Sequence, residues 1–559
     1  MHNPTPSKCL NRTCKDDNEI LDCILSKKGI IMKIKDFRRR FFSTKTSPET
    51  VATEGQPLLS SLQENIRKIK SDLGNSSDII IQEVRIGKKA DQALGILYTD
   101  GLVDKNVITD YIRASLLLDT RFNEADPSNT DTLDVAQVLQ KFVTTIGDAQ
   151  DIHTFDDLYN GLLSGDAIIL FDGSTKAKAV SAQGWQNRGV TEPSAESVVR
   201  GPREAFTETL RTNTSLIRRK IKDPNLWMET KQIGRVTKTE VAFMYIKGIV
   251  NDKVVEEVRE RLDRIDIDGI LESGYIEEMI QDDVFTPFPT VYNSERPDVI
   301  AAELLEGKVA ILVDGTPFVL VVPALFVSFL HAAEDYYHRA DISSLIRILR
   351  YLGIFIALFG PSLYVAITTF HQEMLPTQLL VSLASQREGV PFPAFFEAIM
   401  MEVAFEILRE AGLRMPRTIG PAVSIVGTLV IGQAAVEAGI ISAAMVIVVS
   451  TTAISSFVFP SYSLANSIRI LRFPFIILAD TFGLFGVIVG TIATLLHLCS
   501  LRSFGVPYMS PFAPMILPDQ KDAILRLPQW AMFSRPRLIS QINVTRKQNV
   551  PPRKPEPRQ

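Results

Sequence analysis

Apolar residues crowd into the second half of the chain, where they form runs long enough to cross a bilayer. Ile419–Val436 and Gly439–Phe459 each approach the ~20 residues that span the hydrocarbon core, and only Glu437 and Ala438 separate them. That spacing predicts a tight antiparallel helical hairpin. Small residues along it, Gly427, Gly432 and Gly439 among them, would let helix backbones approach closely. Leu349–Phe370 predicts an earlier span and Phe473–Cys499 a last one. Between them, Ala394–Ala411 carries Glu402, Glu406 and Glu410 at four-residue spacing, with Glu397 on another face. An acid at mid-bilayer costs about 2.5–3.5 kcal/mol on insertion scales, so this segment is an interfacial or re-entrant helix, or a span whose acids face a bundle interior or aqueous path. Pro317–Leu330 is apolar but only 14 residues long and broken by Pro323, which predicts a re-entrant or interfacial element.

The first ~315 residues hold no such run. They hold a repeat. LGILYTDGLVDKNVI (94–108) aligns with VAFMYIKGIVNDKVV (241–255) at an offset of 147, and LLSGDAIILFDG (162–173) with LLEGKVAILVDG (304–315) at an offset of 142. In the second pair seven of twelve positions are identical, and the two matches recur in the same order. Each copy reads as an apolar strand, an amphipathic helical stretch and a buried strand ending in Asp-Gly, so two related α/β lobes are expected. Asp172-Gly173 and Asp314-Gly315 suggest either an acidic metal or phosphate site or tight turns, and the positive φ that glycine supplies favours the turn.

The expected architecture is multidomain: an N-terminal α/β soluble region of two related lobes, then an α-helical integral membrane domain of 4–5 spans with re-entrant or interfacial helices. The boundaries run as a flexible basic arm 1–76, lobe 1 at 77–175, a helical linker 176–235, lobe 2 at 236–316, the membrane domain 317–500, and a proline-rich tail 501–559 that ends disordered. The linker carries a cationic stripe of Arg211, Arg218, Arg219, Lys220 and Lys222, which is either solvated surface or a docking face for a subunit or the inner leaflet.

Average composition hides this division: 46% hydrophobic, 22% charged and a net charge of −4 resemble a large soluble protein. Near-neutral charge disfavours a nucleic-acid binder. Cys9, Cys14, Cys23 and Cys499 suit neither a disulfide framework nor a zinc module. The leader before Met32 has no signal-peptide core, which keeps the lobes cytoplasmic, and MKIKDFRRRFF reads as a natural start. Phosphate-loop, zinc-protease and serine-hydrolase motifs are missing, so no enzyme and no cofactor is expected. Short-loop arginines favour five spans, with Arg347, Arg350, Arg409, Arg414, Arg417, Arg469 and Arg472 inside and the tail outside; four spans would put the tail inside.

Glu397, Glu402, Glu406, Glu437 and Asp480 are acids at or near membrane depth, and Ser450, Thr452 and Ser456 could wet a wall beside them. They read as a cation pathway, or as groups that cap turns, pack helices and bond back to their own backbone.

MEVAFEILREAGLRMPR (401–417) and VSIVGTLVIGQAAVEAG (423–439) closely resemble the A subunit of GerA-type spore germinant receptors. So do EPSAESVVRGPREAFTETLRTN (192–213), LIRRKI (216–221), AEDYYHRAD (333–341) and PTQLLVSLASQREGVPFP (376–393), the resemblance running from about Ser77 to Trp530. Pro421 departs from it, standing where glutamine is expected, and a proline is tolerated in a first helical turn. The resemblance implies a complex with a transporter-like B subunit and a lipoprotein C subunit in the spore inner membrane, the lobes on the cytoplasmic side. It also implies A-subunit oligomers that form or gate a cation-release channel. Arg200, Arg203, Arg218 and Arg219, within or beside the 192–221 motifs, then become candidate subunit contacts. The alternatives are a secondary solute transporter and a scaffold that clusters other receptor subunits.

Overall fold

Strands that are apolar on both faces need both faces covered, and the repeat supplies such strands twice over, as in the β-strands Asp166–Phe171 and Val309–Val313. The computed structural model describes residues 55–86, 92–109, 149–184, 193, 196, 198–414 and 432–546. The first unit comprises α1 (Leu62–Asp72), β1 (Ile79–Ile86), β2 (Gln92–Thr99), β3 (Ala149–Ile152), α2 (Phe155–Ser164), β4 (Asp166–Phe171) and β5 (Ala177–Ser181). The second comprises α3 (Leu210–Lys220), β6 (Leu226–Ile233), β7 (Thr239–Ile246), α4 (Asp252–Asp263), α5 (Ser273–Ile280), β8 (Tyr292–Ser294), α6 (Pro297–Leu305), β9 (Val309–Val313) and β10 (Val319–Val322). Each forms a five-stranded sheet, ordered β1-β2-β4-β5-β3 and β6-β7-β9-β10-β8, with every neighbour antiparallel.

The register repeats with the order. Leu94 faces Phe171, and at the offsets read from sequence Val241 faces Val313. Turn chemistry accounts for the two Asp-Gly pairs, with Gly173 at φ 80° and Gly315 at φ 92°. The aspartates have a second role that the turn does not require. Ser61 and Thr209, at the N-caps of α1 and α3, make no side-chain cap. Asp172 and Asp314 reach across instead, their Oδ1 atoms accepting from Leu62 N at 3.0 Å and Leu210 N at 2.9 Å.

The sheet boundaries extend past those expected. β5 and β6 fall inside the stretch 176–235, so most of that stretch belongs to the two lobes. Residues 317–330, expected as a re-entrant or interfacial element, hold β10 and a 3₁₀ turn, Phe326–Leu330. Four β-branched or leucine residues in a row, all buried, are what a strand covered on both faces needs. The cationic stripe fastens the lobes together. Arg218 is buried and forks onto Asp78 of the first lobe, Nε to Oδ2 at 2.7 Å and Nη2 to Oδ1 at 3.0 Å. Beside it Arg211 pairs with Asp100 and Lys222 reaches Ser164. Arg218 is therefore no subunit contact. Its charge is spent within the chain.

The helical half comprises α7 (Glu334–Tyr337), α8 (Ala340–Phe370), α9 (Thr377–Arg387), α10 (Ala394–Arg414), α11 (Ala443–Ser456) and α12 (Tyr462–Ser500). Both α8 and α12 are long and apolar enough to cross a membrane. The last span expected at Phe473–Cys499 is not one helix run. Gly483 takes φ 61° and ψ −144°, and a side chain at Gly490 would lie 3.0 Å from the ring of Phe475. Fifteen residues of straight helix would hold these positions about 22 Å apart, so α12 reverses at Gly483 into two antiparallel arms. Both arms return to the second lobe, where Ser467 bonds Pro287 O and His497 Nε2 lies 2.9 Å from Thr286 Oγ1.

The tail consequently lies on the lobe side. β11 (Arg502–Ser503) and β12 (Val506–Pro507) close a small ribbon, Arg535 Nε donates to Leu305 O at 2.7 Å, and Ser540 Oγ donates to Ile249 O at 2.7 Å. This packing excludes the five-span arrangement with the tail on the far side. The arm up to residue 54, Gly427 and the first hairpin run up to residue 431 lie outside the described residues.

Arg218→Met should destabilise the full chain by about 3–5 kcal/mol, because it strands Asp78 in a dry interface. Thermal unfolding in detergent should show most of that loss recovered by Asp78→Leu in the same chain.

Candidate functional site

Charges in an apolar bundle must find partners or stay out, and here arginines of α12 meet glutamates of α10. Arg472 and Glu402 are both buried and pair at 2.5 Å. The same guanidinium serves a third helix. Pro361 has no N–H, so the carbonyl four residues earlier in α8, Ala357 O, has no helical donor. Arg472 Nε donates to that oxygen at 2.8 Å. One side chain thus ties α8, α10 and α12 at a single level.

A turn toward the lobes, Arg469 lies 3.4 Å from Glu406, which also faces Arg409 at 3.3 Å. In the other direction, buried Glu397 accepts from Ser442 N at 2.8 Å, at the start of α11, with Arg387 at 3.5 Å. Three of the acids expected along a cation pathway are therefore brought together as a ladder, each with a cation nearby. The other two lie apart from it. Glu437 is exposed and accepts from Gln433 at 2.8 Å, while Asp480 is half-buried near the Gly483 reversal.

The hydroxyls face inward only in part. Thr452 bonds back to Val448 O at 2.8 Å and Ser456 to Ala453 O at 2.6 Å, whereas Ser450 is exposed. The glycines expected at helix contacts also differ. Gly432 has open space where a side chain would stand, and Gly439 is a turn residue at φ 65°. Close approach falls at Gly360, where a Cβ would meet Thr452 Oγ1 at 2.7 Å, and at Gly439, where one would lie 3.2 Å from Gly389 O. Spacing within one helix does not say which face meets a neighbour, and that is why Gly360 had no signal in the sequence.

The bundle joins the lobes through a second buried cluster. Asp335 of α7 accepts from Arg347 Nε at 3.0 Å and Arg350 Nη1 at 2.6 Å, and Arg347 continues to Asp522 of the tail at 2.7 Å. Burial would raise the Asp335 carboxyl, but hydrogen bonding from Arg350 and the two arginine charges overcome it and hold the pKa below the usual value. Nearby His331 is driven well below its ordinary pKa by burial and by Arg347, so its imidazole is neutral. Tyr336 Oη donates to Asp522 at 2.8 Å, and Arg526 Nη1 donates to His338 O at 2.9 Å.

Two sequence motifs distant along the chain converge here. Val199 N reaches the Glu334 carboxylate, and Gly201 lies against the ring of Tyr337. Tyr337 in turn bonds Asp298, which pairs with Arg296 at 2.8 Å. Arg296 also donates to Glu196 O at 3.1 Å and Pro202 O at 2.9 Å. The 192–213 motif thus folds onto its own second lobe, leaving Arg200 and Arg203 exposed beside it and Arg219 3.4 Å from Glu204.

The chain matches the family described as Bacillus/Clostridium GerA spore germination protein over residues 67–538. It is 54% identical over 480 residues to "Spore germination protein KA" of Bacillus subtilis, covering 86% of this chain and 87% of that one. It is 44% identical over 492 residues to "Uncharacterized membrane protein YfkQ" of the same organism, covering 88% and 93%. A crystal structure of the N-terminal domain of the A subunit of the Bacillus megaterium spore germinant receptor GerK3 is 44% identical, covering 49% of this chain and 98% of that one, with a TM-score of 0.39.

Arg472→Met should cost about 3–5 kcal/mol by leaving Glu402 charged and unpaired, and adding Glu402→Gln should restore most of it. Unfolding in detergent of the single and double variants checks this. A pH effect belongs to the lobe. Burial pushes the Glu196 carboxyl from the ordinary 4.5 up to about 7, its Oε2 accepting from Ser294 Oγ at 2.7 Å. A carboxyl raised on folding contributes stability that is complete below about 4.5 and lost as pH rises through about 7. Glu196→Gln should flatten that window and stabilise the chain at pH 8 by roughly 2–3 kcal/mol, read from melting at a series of pH values.

Proposed function

Because the chain belongs to the GerA family of spore germination proteins, we propose that it is the A subunit of a nutrient-germinant receptor in the spore inner membrane. Kinship over 86% of the chain to a spore germination protein carries this reading. The second lobe and the tail lie together at one end of the bundle, so in this reading both take the cytoplasmic, core-facing side. A transporter-like B subunit senses the nutrient, and a lipoprotein C subunit completes the complex. Arg200 and Arg203, exposed on the second lobe's flank, are its candidate contacts.

In this reading copies of the chain assemble into a cation-release channel, and nutrient binding elsewhere in the complex reaches the bundle through Asp335, Arg347 and Arg350. Glu437 and Asp480 carry the conduction role, because they stand outside the arginine ladder. A scaffold that clusters other receptor subunits is the second reading. The pairing of Glu402 and Glu406 with arginines favours it, since a neutralised acid does not attract cations.

Cation release separates the two in spores carrying this chain as their sole receptor of the type. At matched receptor abundance, Glu437→Gln or Asp480→Asn should slow nutrient-triggered release or change the order in which cations leave. Unchanged flux with both substitutions favours the scaffold.

A further inference from the structure

Between α5 and β8 the second lobe displays two bulky apolar side chains that are left largely uncovered by the described residues. Phe285 is 95% exposed and Val284 61% exposed. Exposure of this extent on a soluble surface is costly, since a large aromatic side chain left in water forgoes the gain of burying it. The loop that carries them is not a loose tip. Asp283 Oδ1 accepts from Phe285 N at 3.1 Å, and Asp282 is held by Arg261 Nη2 at 2.6 Å. Immediately after it, Thr286 lies 2.9 Å from His497 Nε2 and Pro287 O accepts from Ser467.

Those two contacts fix the height of Phe285 along the bundle. Ser467 and His497 lie on opposite arms of α12, where the arms leave the bundle toward the lobe. Just beyond them, on the bundle side, the outward residues become apolar: Ile470 is 61% exposed and Leu496 66% exposed. A helical bundle that spans a bilayer turns such residues to lipid, and Tyr462, 57% exposed on the lobe side of Ser467, is an aromatic residue of the kind that sits among headgroups, so the interfacial zone takes in the level of Ser467 and His497. Phe285 and Val284 stand at that level while belonging to the soluble lobe.

We infer that Val284 and Phe285 form a membrane wedge that inserts into the headgroup region of the bilayer and sets the second lobe on the membrane surface. The inference rests on the reading of the bundle as membrane-embedded. The occupant is lipid and not a second copy of the chain, because Thr286 and Pro287, directly after Phe285, are seated on the two α12 arms next to Leu496 and Ile470, exposed apolar residues that the bundle turns to lipid. Aromatic side chains partition well to this depth, and two neighbouring residues suffice for a shallow anchor when the rest of the chain supplies the span.

The experiment places a nitroxide at residue 285 by Phe285→Cys in the full chain whose four native cysteines are serine, reconstituted into vesicles of phosphatidylethanolamine and phosphatidylglycerol. Collision with oxygen and with a water-soluble nickel chelate reports depth. The expected result is oxygen collision exceeding nickel collision several-fold, with the depth placed at the headgroup boundary. Strong nickel collision overturns the wedge by placing residue 285 in water. An immobilised label with little collision from either reagent overturns it by placing the residue in a protein interface. The same label at Ile492→Cys, on the outer face of α12, tests the reading beneath. If residue 492 reports lipid and residue 285 reports water, only the wedge fails; if both report water, the membrane reading fails with it.

Discussion

A guanidinium buried among apolar helices needs acceptors close around it, and Arg472 takes them from two helices, Nη1 facing Glu402 and Nε facing Ala357 O, while its buried Nη2 has no partner among the described residues. Its partners come from two different helices and from two different defects in apolar packing. Glu402 brings a charge that lipid would reject, and Pro361 leaves Ala357 O without its helical donor. Either alone destabilises a bundle. Together with one arginine they form a fastening that fixes how α8, α10 and α12 lie, since each helix must present a particular residue at one height.

The same economy governs the junction with the lobes. Asp335 gathers Arg347 and Arg350, and Arg347 passes to Asp522, so the first turns of α8 are held by the second lobe's exit segment and by the tail. Further out, Arg218 and Asp78 lock the two lobes. Three buried ionic clusters therefore lie in series from lobe 1 to the bundle. Buried ion pairs add little net stability compared with apolar packing, but they punish any arrangement that separates them. That penalty suits a subunit in which a shift at one end must reach the other without being absorbed on the way.

Much of the α/β half was legible, because runs of apolar strand residues and an internal repeat are both written at short range. Offsets of 147 and 142 residues foretell the paired registers of Leu94 with Phe171 and Val241 with Val313. Helix partners are a long-range property, and there the reading of single segments falls short. The arginines 469 and 472 resemble loop charges until α10 is placed beside them. Arg218 resembles surface until Asp78, 140 residues earlier, arrives. The reversal at Gly483 had a signal in the glycines 483, 486 and 490, but small residues in an apolar run equally suit straight helix packing. Residues 319–322 show the opposite ambiguity, where a short apolar stretch reads as membrane element or buried strand with equal ease.

We propose that the junction of Asp335, Arg347 and Asp522 carries the nutrient signal from the receptor's sensing part into the bundle. Asp522→Asn tests it most directly, because it weakens the tie between tail and α8 while keeping the side chain's size and leaving Asp335 with both its arginines. Nutrient-triggered cation release would be measured from spores holding this variant as the sole receptor of the type, at receptor abundance matched to the unmodified chain. Markedly slower release at normal abundance is expected if the junction relays the signal; release at the unmodified rate would rule that relay out.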